Sequence, residues 1–217
     1  MAQKSSPYAI RVGYNQVWND YFFPTSRKEQ ISFLRENKII RDYLYKFFPD
    51  IAQLRIERNQ NKIFVYLSIP EINLVLGENQ ENLKKVVKNI NLLINNDKVT
   101  LQLNLIEVKK IFTHAQSVAN WIVGQLKNRV RSRQIIRNME RKFADEREVK
   151  GWKVCINGLI DGSEIAQKKK NTHGQMKLST IDSNIDEGKA VALMSRGVIG
   201  VQVLIYKGKL WQRKNLN

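Results

Sequence analysis

Cysteine, proline and histidine are scarce in this sequence of 217 residues, which contains one, four and two of them respectively. A single cysteine, Cys155, excludes an internal disulfide and any metal site built from several cysteines. The surrounding stretch 152–156 alternates like a strand, so we interpret Cys155 as a small buried side chain rather than a reactive thiol. We therefore expect the protein to work in a reducing environment.

Long apolar runs are also absent, because no stretch of about 18 apolar residues occurs and no transmembrane helix is therefore predicted. The first residues lack the apolar core of a secretory signal and are not an Arg-rich presequence. The chain has neither a P-loop nor a G-x-G-x-x-G turn, and His114 and His173 lack partners at metal or triad spacing. We predict no enzymatic activity, no cofactor, no metal, no membrane association and no small-molecule substrate.

Acidic residues are few compared with basic ones, since 20 Asp and Glu stand against 37 Lys and Arg. The net charge is +17 and the pI is near 10.0, while the apolar fraction of 42% is that of a folded protein. Such a charge destabilises an isolated fold through self-repulsion, which a polyanion offsets. Nucleic acid is the first candidate partner, and an anionic membrane surface is the second.

Hydrophobic periodicity divides the first half of the chain into an arm with a helix, at 1–50, and a compact domain at 51–108. Ser26 and Glu29 form the sequence of a capping box, and Pro49 ends the helix that follows. Alternating residues predict strands near 54–57, 63–69 and 99–105. A further helix is predicted by one apolar face, which contains Leu83, Val86, Val87, Ile90 and Ile94.

A second α+β domain is predicted at 109–217. Its main feature is one long helix from about 114 to 145, whose apolar residues recur every four positions at Val118, Ile122, Leu126 and Val130. We expect this helix to pack on a mostly antiparallel sheet. The predicted strands lie near 152–158, 162–170, 176–186 and 198–206.

The long predicted helix carries a row of arginines at successive i, i+4 positions, Arg129, Arg133, Arg137 and Arg141, which Lys127 and Arg131 flank. No Asp or Glu occurs between Lys109 and Met139. Three consecutive like-charge pairs destabilise a helix by about 1 kcal/mol in total, a loss that a solvated face normally avoids with interspersed acids. We interpret the row as an RNA contact rather than an exposed basic face, because arginine grips phosphate bidentately and stacks on bases.

A turn at Gly77-Glu78-Asn79-Gln80, which Lys84 and Lys85 follow, lies after two strands and before a helix. This is the place of the G-x-x-G loop that clamps single-stranded RNA in a KH domain. Gln80 replaces the second glycine and Glu78 repels phosphate. The turn therefore predicts a KH fold with a degenerate binding loop.

Six ordered blocks along nearly the whole chain carry a family resemblance. They are Met1–Lys4 with Pro7, Ile10–Gly13 and Trp18; Arg41–Leu44; Ile56–Arg58; Ser117–Val130; Gly158–Ala166; and Arg196–Gly208. Together they resemble the bacterial and organellar family of the third small-subunit ribosomal protein. The most specific block is Gly158–Ala166, which resembles the family's G-R-L-x-G-x-E-I-A, and Arg196–Gly208 resembles a block that opens with tyrosine in the family.

The resemblance implies a type II KH domain followed by a C-terminal α+β domain in the head of the small subunit. It implies binding to ribosomal RNA and to messenger RNA at the opening through which the messenger enters, beside the fourth and fifth small-subunit proteins, with the tenth and fourteenth also in contact. Basic residues early in the long helix help to open messenger duplexes in the family, and Arg133, Gln134 and Arg137 match them. Further expected RNA contacts are Gln3, Lys4 and Arg11 in the arm and Lys168, Lys169 and Lys170 in the C-terminal domain.

Departures from the family pattern include Ala2, Ser6 and Gln167, which replace glycine, histidine and arginine. Such drift, with heavy use of Ile, Asn and Lys, predicts an organellar ribosome, with the mitochondrion favoured over the plastid and over a bacterial cytoplasm. One alternative is a KH-type RNA-processing or ribosome-assembly factor. Another is an RNA-modifying enzyme using the acidic cluster that we interpret as surface loops, Asp161, Glu164, Asp182, Asp186 and Glu187.

Overall fold

A computed structural model describes residues 5–48, 50–59, 62–70, 72, 81–94 and 100–210. These residues form two compact units. One unit is Trp18–Lys109, and the other combines the arm up to Val17 with the chain from Lys110 onward. The segment 1–50 is thereby divided, since its arm and its helix belong to different units.

The unit Trp18–Lys109 contains a four-stranded sheet in the order β1-β2-β3-β4. Its strands are β1 (Asp20–Tyr21), β2 (Gln53–Arg58), β3 (Lys62–Ile69) and β4 (Thr100–Glu107), and its helices are α1 (Arg27–Phe47) and α2 (Glu81–Ile94). Strand β2 runs antiparallel to β3, which is parallel to β4. Two antiparallel strands followed by a helical crossover to a parallel strand make this unit KH-like.

Local signals explain these elements. The Ser26 hydroxyl accepts a hydrogen bond from the Glu29 N–H at 3.3 Å, so the predicted cap of α1 is confirmed. Alternate residues of β3 are buried, and they pack against the buried faces of both helices. This core contains Ile40, Leu44, Ile63, Val65, Leu67, Val86 and Ile90.

The second unit contains an antiparallel sheet in the order β6-β5-β8-β7. Its strands are β5 (Gly151–Gly158), β6 (Gln167–Gly174), β7 (Ser183–Met194) and β8 (Gly197–Lys209), and its helices are α3 (Ala115–Lys127) and α4 (Ser132–Ala144). Helix α3 lies directly on β7, where a Cβ on Gly188 would come within 2.3 Å of the Ala115 backbone. The core between the helices and the sheet includes Val118, Ile122, Ile135, Met139, Trp152, Val154, Val201 and Val203.

The predicted α+β class, with a KH-like unit and a second α+β unit, is confirmed. Two predicted strands were misplaced, because those near 162–170 and 176–186 are β6 at Gln167–Gly174 and β7 at Ser183–Met194. The chain turns at Asp161 and Gly162, which have φ of +56° and +83°, and a strand cannot continue through such positions. In the parts of the chain that the structure describes, no helix has the length and apolarity needed to cross a membrane.

Candidate nucleic-acid interface

Helix α4 presents a row of three arginines to solvent, which we call the α4 ridge: Arg133, Arg137 and Arg141. The opposite face of the helix is buried through Ile135, Met139 and Phe143. Both sets recur every four residues, so the apolar contacts with the sheet hold the arginines in one outward row. Gln134, the middle one of the three matched positions, is exposed beside Arg133.

No acid neutralises the α4 ridge within the described residues, where none of its three guanidinium groups forms an ion pair or a hydrogen bond. Glu140 is the acid within α4, and its Oε1 accepts a hydrogen bond from Asn171 on β6 at 2.8 Å. The ridge is therefore a line of unpaired positive charges on a helix backbone that the core holds in place. Successive arginines rise by about 6 Å along the helix axis.

The single long helix predicted from about 114 to 145 was wrong, because the structure has two helices separated by a turn. The Arg129 N–H donates to the Leu126 carbonyl at 2.9 Å, and the Val130 N–H donates to the Gln125 carbonyl at 3.1 Å. These two bonds form a Schellman motif, which closes a helix with one residue in the left-handed region. That residue is Arg129, with φ of +59°.

We call residues 128–131 the elbow. The turn removes Arg129 from the predicted row of four arginines, so the ridge has three members rather than four. Arg129 and Arg131 are exposed on the elbow, and Lys127 is exposed at the end of α3. The described residues offer none of these three cations an acidic partner. The predicted basic residues are thus split between a ridge and an adjoining elbow.

The start of α4 is fixed by a carboxylate from a distant loop. Asp161 Oδ1 accepts from the Ser132 N–H at 2.8 Å, and Oδ2 accepts from the Ser132 hydroxyl at 2.6 Å. The Lys169 ammonium donates to the same carboxylate and to Ser132 Oγ. Desolvation acts to raise the pKa of Asp161, but the hydrogen bonds from Lys169 and Ser132 outweigh it and hold that pKa below its ordinary value. Asp161 therefore acts as an N-terminal cap from outside the helix.

This cap separates the three lysines that the sequence grouped as one RNA contact. Lys169 is bound to Asp161 on the helix side of β6, so it is engaged in the structure of the protein. Lys168 and Lys170 are exposed, and their alternation along the strand places them on the other side of the sheet.

The prediction that Arg11 contacts RNA was wrong. Its side chain is 0% exposed, and its guanidinium donates to four backbone carbonyls, which belong to Pro7, Leu178, Thr180 and Ser183. Burial lowers the pKa of Arg11, while the carbonyls replace water around the charge. Arg11 therefore ties the N-terminal arm to the loop before β7.

Other predicted RNA contacts lie outside the described residues, namely Gln3 and Lys4 of the arm and Gly77, Glu78, Asn79 and Gln80 of the KH loop. Lys84 and Lys85, which follow that loop, are exposed on α2. Lys84 lines an open groove with Leu83, Val87 and Leu103 between α2 and β4.

The acidic cluster considered as an enzyme site does not converge. Besides the cap at Asp161, Asp186 accepts from the Ala115 N–H at the start of α3 at 2.9 Å, and Asp182 accepts from the Tyr14 hydroxyl. Desolvation would raise the pKa of Glu187, but hydrogen bonds from Lys189, Ser6 and Gln202 hold it below its ordinary value. Among the described residues, no group of three or more His, Cys, Asp or Glu is arranged to hold a metal ion.

One basic residue near this surface was missed from the sequence. Arg196, at the turn between β7 and β8, is exposed and donates to the Gly162 carbonyl at 3.3 Å. Gly162 adjoins Asp161, so Arg196 lies beside the capped start of α4. The sequence did carry a signal for Arg196, because the family block that Arg196–Gly208 resembles opens with tyrosine rather than arginine.

Comparisons with known proteins identify relatives of this chain. The family model of the ribosomal protein S3 C-terminal domain matches residues 122–205, which include α4, strands β5 to β7 and most of β8. Small ribosomal subunit protein uS3 of Spiroplasma citri is 31% identical over 216 residues, covering 99% of this chain and 85% of that protein. The uS3 protein of Helicobacter pylori strain P12 is 32% identical, covering 98% of this chain and 90% of that protein. The uS3 protein of Lawsonia intracellularis is 33% identical, covering 99% of each chain.

Proposed function

Because this chain belongs to the uS3 family of small-subunit ribosomal proteins, which are structural rather than enzymatic, we propose that it is a small-subunit constituent that binds RNA through the α4 ridge and the elbow. The predicted family and the predicted lack of enzymatic activity are confirmed by this membership. The observation that carries the proposal is the exposed row Arg133, Arg137 and Arg141, which lacks an acidic partner among the described residues.

A fixed row of guanidinium groups suits a phosphate backbone. Each planar fork can donate two parallel hydrogen bonds to one phosphate, and it can also stack on an unpaired base. Because the helix is anchored by its buried face and its capped start, RNA binding has to order only the arginine side chains and not the backbone that carries them. Since a guanidinium can stack only on a base that is unpaired, the row favours a strand with exposed bases. A messenger duplex that has just been opened supplies such a strand.

We extend the proposal to location and partners. The ridge would line the opening through which messenger RNA enters, while other surfaces contact the ribosomal RNA of the head. The fourth, fifth, tenth and fourteenth small-subunit proteins are the proposed neighbours. The relatives compared above are bacterial and do not support the mitochondrial assignment, for which composition and sequence drift are the only grounds. Fractionating cells of the source organism and probing for the protein would test that assignment.

The test of the ridge is the double variant Arg133→Ala with Arg137→Ala. We expect it to slow translation of a messenger with a stable hairpin and to spare an unstructured messenger, because only the hairpin requires strand separation. Arg35→Ala with Arg147→Ala removes the same charge from exposed positions that belong to neither the ridge nor the elbow, and it serves as the control. If the ridge variant translated both messengers at the wild-type rates, the role in messenger threading would be overturned.

A second measurement separates a resident ribosomal protein from a processing or assembly factor. Tagged chain should sediment with complete small subunits at one copy each and remain bound in high salt. An assembly factor would instead be found on immature particles and would be released. Crosslinking from the ridge to messenger would then identify the RNA that these arginines contact.

A further inference from the structure

The groove between helix α2 and strand β4, in the unit Trp18–Lys109, has features that the RNA contacts of the second unit do not explain. It is open to solvent and has a volume of about 530 Å³. One of its apolar side chains, Leu92, is 63% exposed, so the groove presents unpartnered apolar surface. Four apolar and three polar residues line it, namely Leu83, Val87, Leu92 and Leu103 with Lys84, Lys88 and Asn91.

Positive charge accompanies this apolar floor. Lys84 and Lys88 lie one turn apart on α2, and both are exposed. The described part of the chain gives neither ammonium an ion pair or a hydrogen bond, and no acid is among the described lining residues. Two like charges four positions apart repel each other on a helix. A ligand that combines apolar side chains with carboxylates would therefore complement the groove.

Strand β4 also forms an edge of its sheet, where β3 is its neighbour on the other side. Over the residues that the structure describes, no hydrogen bond from another element reaches the backbone of 101–107. An edge strand leaves alternate N–H and C=O groups available to a further strand. A helix beside a free strand edge, with an apolar floor between them, is the geometry in which an extended peptide adds to a sheet.

The lining of the groove favours a peptide over a strand of RNA. A KH fold holds RNA with its G-x-x-G loop, but the sequence at 77–80 contains an acid and lacks the second glycine. The described lining also has neither an aromatic ring nor a guanidinium on which a base could stack. Leucine and valine side chains instead suit the alternate apolar side chains of an extended peptide.

We propose that this groove binds an extended acidic segment of another protein, which adds to β4 as a further strand. Apolar side chains of the segment pack on Leu83, Val87 and Leu103, and its Asp or Glu residues pair with Lys84 and Lys88. The net charge of +17 also attracts an acidic segment to the protein from a distance. Because the groove and the α4 ridge belong to different units, this inference does not depend on the proposed function.

The test measures binding of a labelled, end-capped peptide to the full chain by fluorescence anisotropy. The probe has the core Glu-Glu-Leu-Thr-Leu-Glu-Glu, and a control peptide carries lysine in place of glutamate. We expect the acidic probe to bind and the basic peptide to fail. Lys84→Gln with Lys88→Gln should weaken the acidic probe about tenfold, since two ion pairs at a rim are each worth a few-fold. Lys28→Gln with Lys38→Gln removes the same charge from exposed positions on α1 and should leave the affinity unchanged.

A second pair of variants tests the apolar floor. Leu92→Gln should weaken the acidic probe by about tenfold, because it removes apolar surface that the bound segment would cover. Leu34→Gln is the matched control, since Leu34 is a half-exposed leucine on α1 that does not line the groove. Circular dichroism and thermal unfolding of each variant establish that the fold is retained.

Addition as a strand has its own signature in the backbone of the probe. Alternate amides of an added strand point toward its neighbour, so only one set of them can donate to β4. Methylating the amide nitrogens of that set should abolish binding, whereas methylating the other set should leave it intact. Hydrogen exchange of the segment 101–107 should also slow when the unmodified probe binds.

The remaining outcomes would overturn the proposal. Equal losses in the groove variants and in their α1 controls would show that the probe is attracted only by the overall charge. Equal binding of both methylated probes would exclude addition to β4. If a single-stranded oligouridine of matched length bound the chain and lost more affinity than the probe in the Lys84→Gln, Lys88→Gln variant, the ligand of the groove would be RNA rather than protein.

Discussion

Replacing Arg129 with glycine is expected to stabilise the protein and weaken its binding to RNA at the same time. Arg129 occupies the left-handed position of the Schellman motif that ends α3, with φ of +59°. Glycine is the usual residue there because it has no Cβ to clash with the backbone. Arg129 is exposed and the described residues give it no partner, so the substitution removes no contact within the described protein.

The expected gain follows from two opposing effects. A residue with a Cβ in the left-handed region costs about 1–2 kcal/mol, which glycine avoids. Glycine also gives the unfolded chain more freedom, which takes back about 0.4–1 kcal/mol. The net stabilisation of Arg129→Gly is therefore about 0.5–1 kcal/mol, which corresponds to a rise in Tm of roughly 2 °C.

Arg129→Ala is the matched variant, because it removes the same charge but retains the Cβ. Urea unfolding of the full chain should place Arg129→Ala within about 0.5 kcal/mol of wild type and Arg129→Gly above both. Both variants should lose about one unit of RNA salt slope, since both lack the same guanidinium. If Arg129→Gly were no more stable than Arg129→Ala, the elbow would not be strained at this residue and the reasoning would be wrong.

Two other predictions concern residues that hold the interface in place. Asp161→Asn should destabilise the protein by about 1 kcal/mol at neutral pH, because it removes the charge that caps α4. Folding lowers the pKa of Asp161, so the Asp161 carboxylate stabilises the protein above its unfolded pKa, and this stabilisation is lost as pH falls through the folded pKa. The free energies of unfolding of wild type and Asp161→Asn, measured in urea, should therefore converge in acid. A difference that stays constant with pH would contradict this. Arg11→Lys should lower the free energy of unfolding in urea by about 3 kcal/mol, because an ammonium cannot reach all four carbonyls. The salt dependence of RNA binding should stay at its wild-type slope, and a reduced slope would mean that Arg11 does contact RNA.

The parts of the fold that could be predicted are those governed by neighbouring residues. The cap at Ser26 and the alternation in 63–69 produced α1 and β3 as expected, since a cap and a strand face are set within a few positions. The single long helix failed because its apolar spacing continues through the elbow, where Val130 still packs against the core. No glycine or proline between 125 and 131 marked the turn. A Schellman motif with arginine in the glycine position leaves no compositional signal.

The candidate interface was predicted only as far as it depends on neighbouring residues. The charge on 127–141 is visible in the sequence, and three of its arginines do share a helix face. Lys169 and Arg11 could not be distinguished from surface cations, because their partners lie elsewhere in the chain. Arg11 and Ser183, for example, are separated by 172 positions.

The sequence by itself determined the class of partner, the family and the periodic elements, because net charge, ordered motifs and hydrophobic spacing are properties of the chain before it folds. Tertiary structure alone decided which cations are available to that partner. Whether a guanidinium or ammonium is exposed depends on acids and carbonyls that folding brings from distant positions, as it does for Lys169 at Asp161 and for Arg11 at the loop before β7. A buried charge such as that of Arg11 and a solvated one have the same letter in the sequence, but they differ by several kcal/mol in the free energy of bringing an RNA phosphate to them. For a partly exposed pair such as Lys169 with Asp161 the difference is smaller, because water screens the two charges.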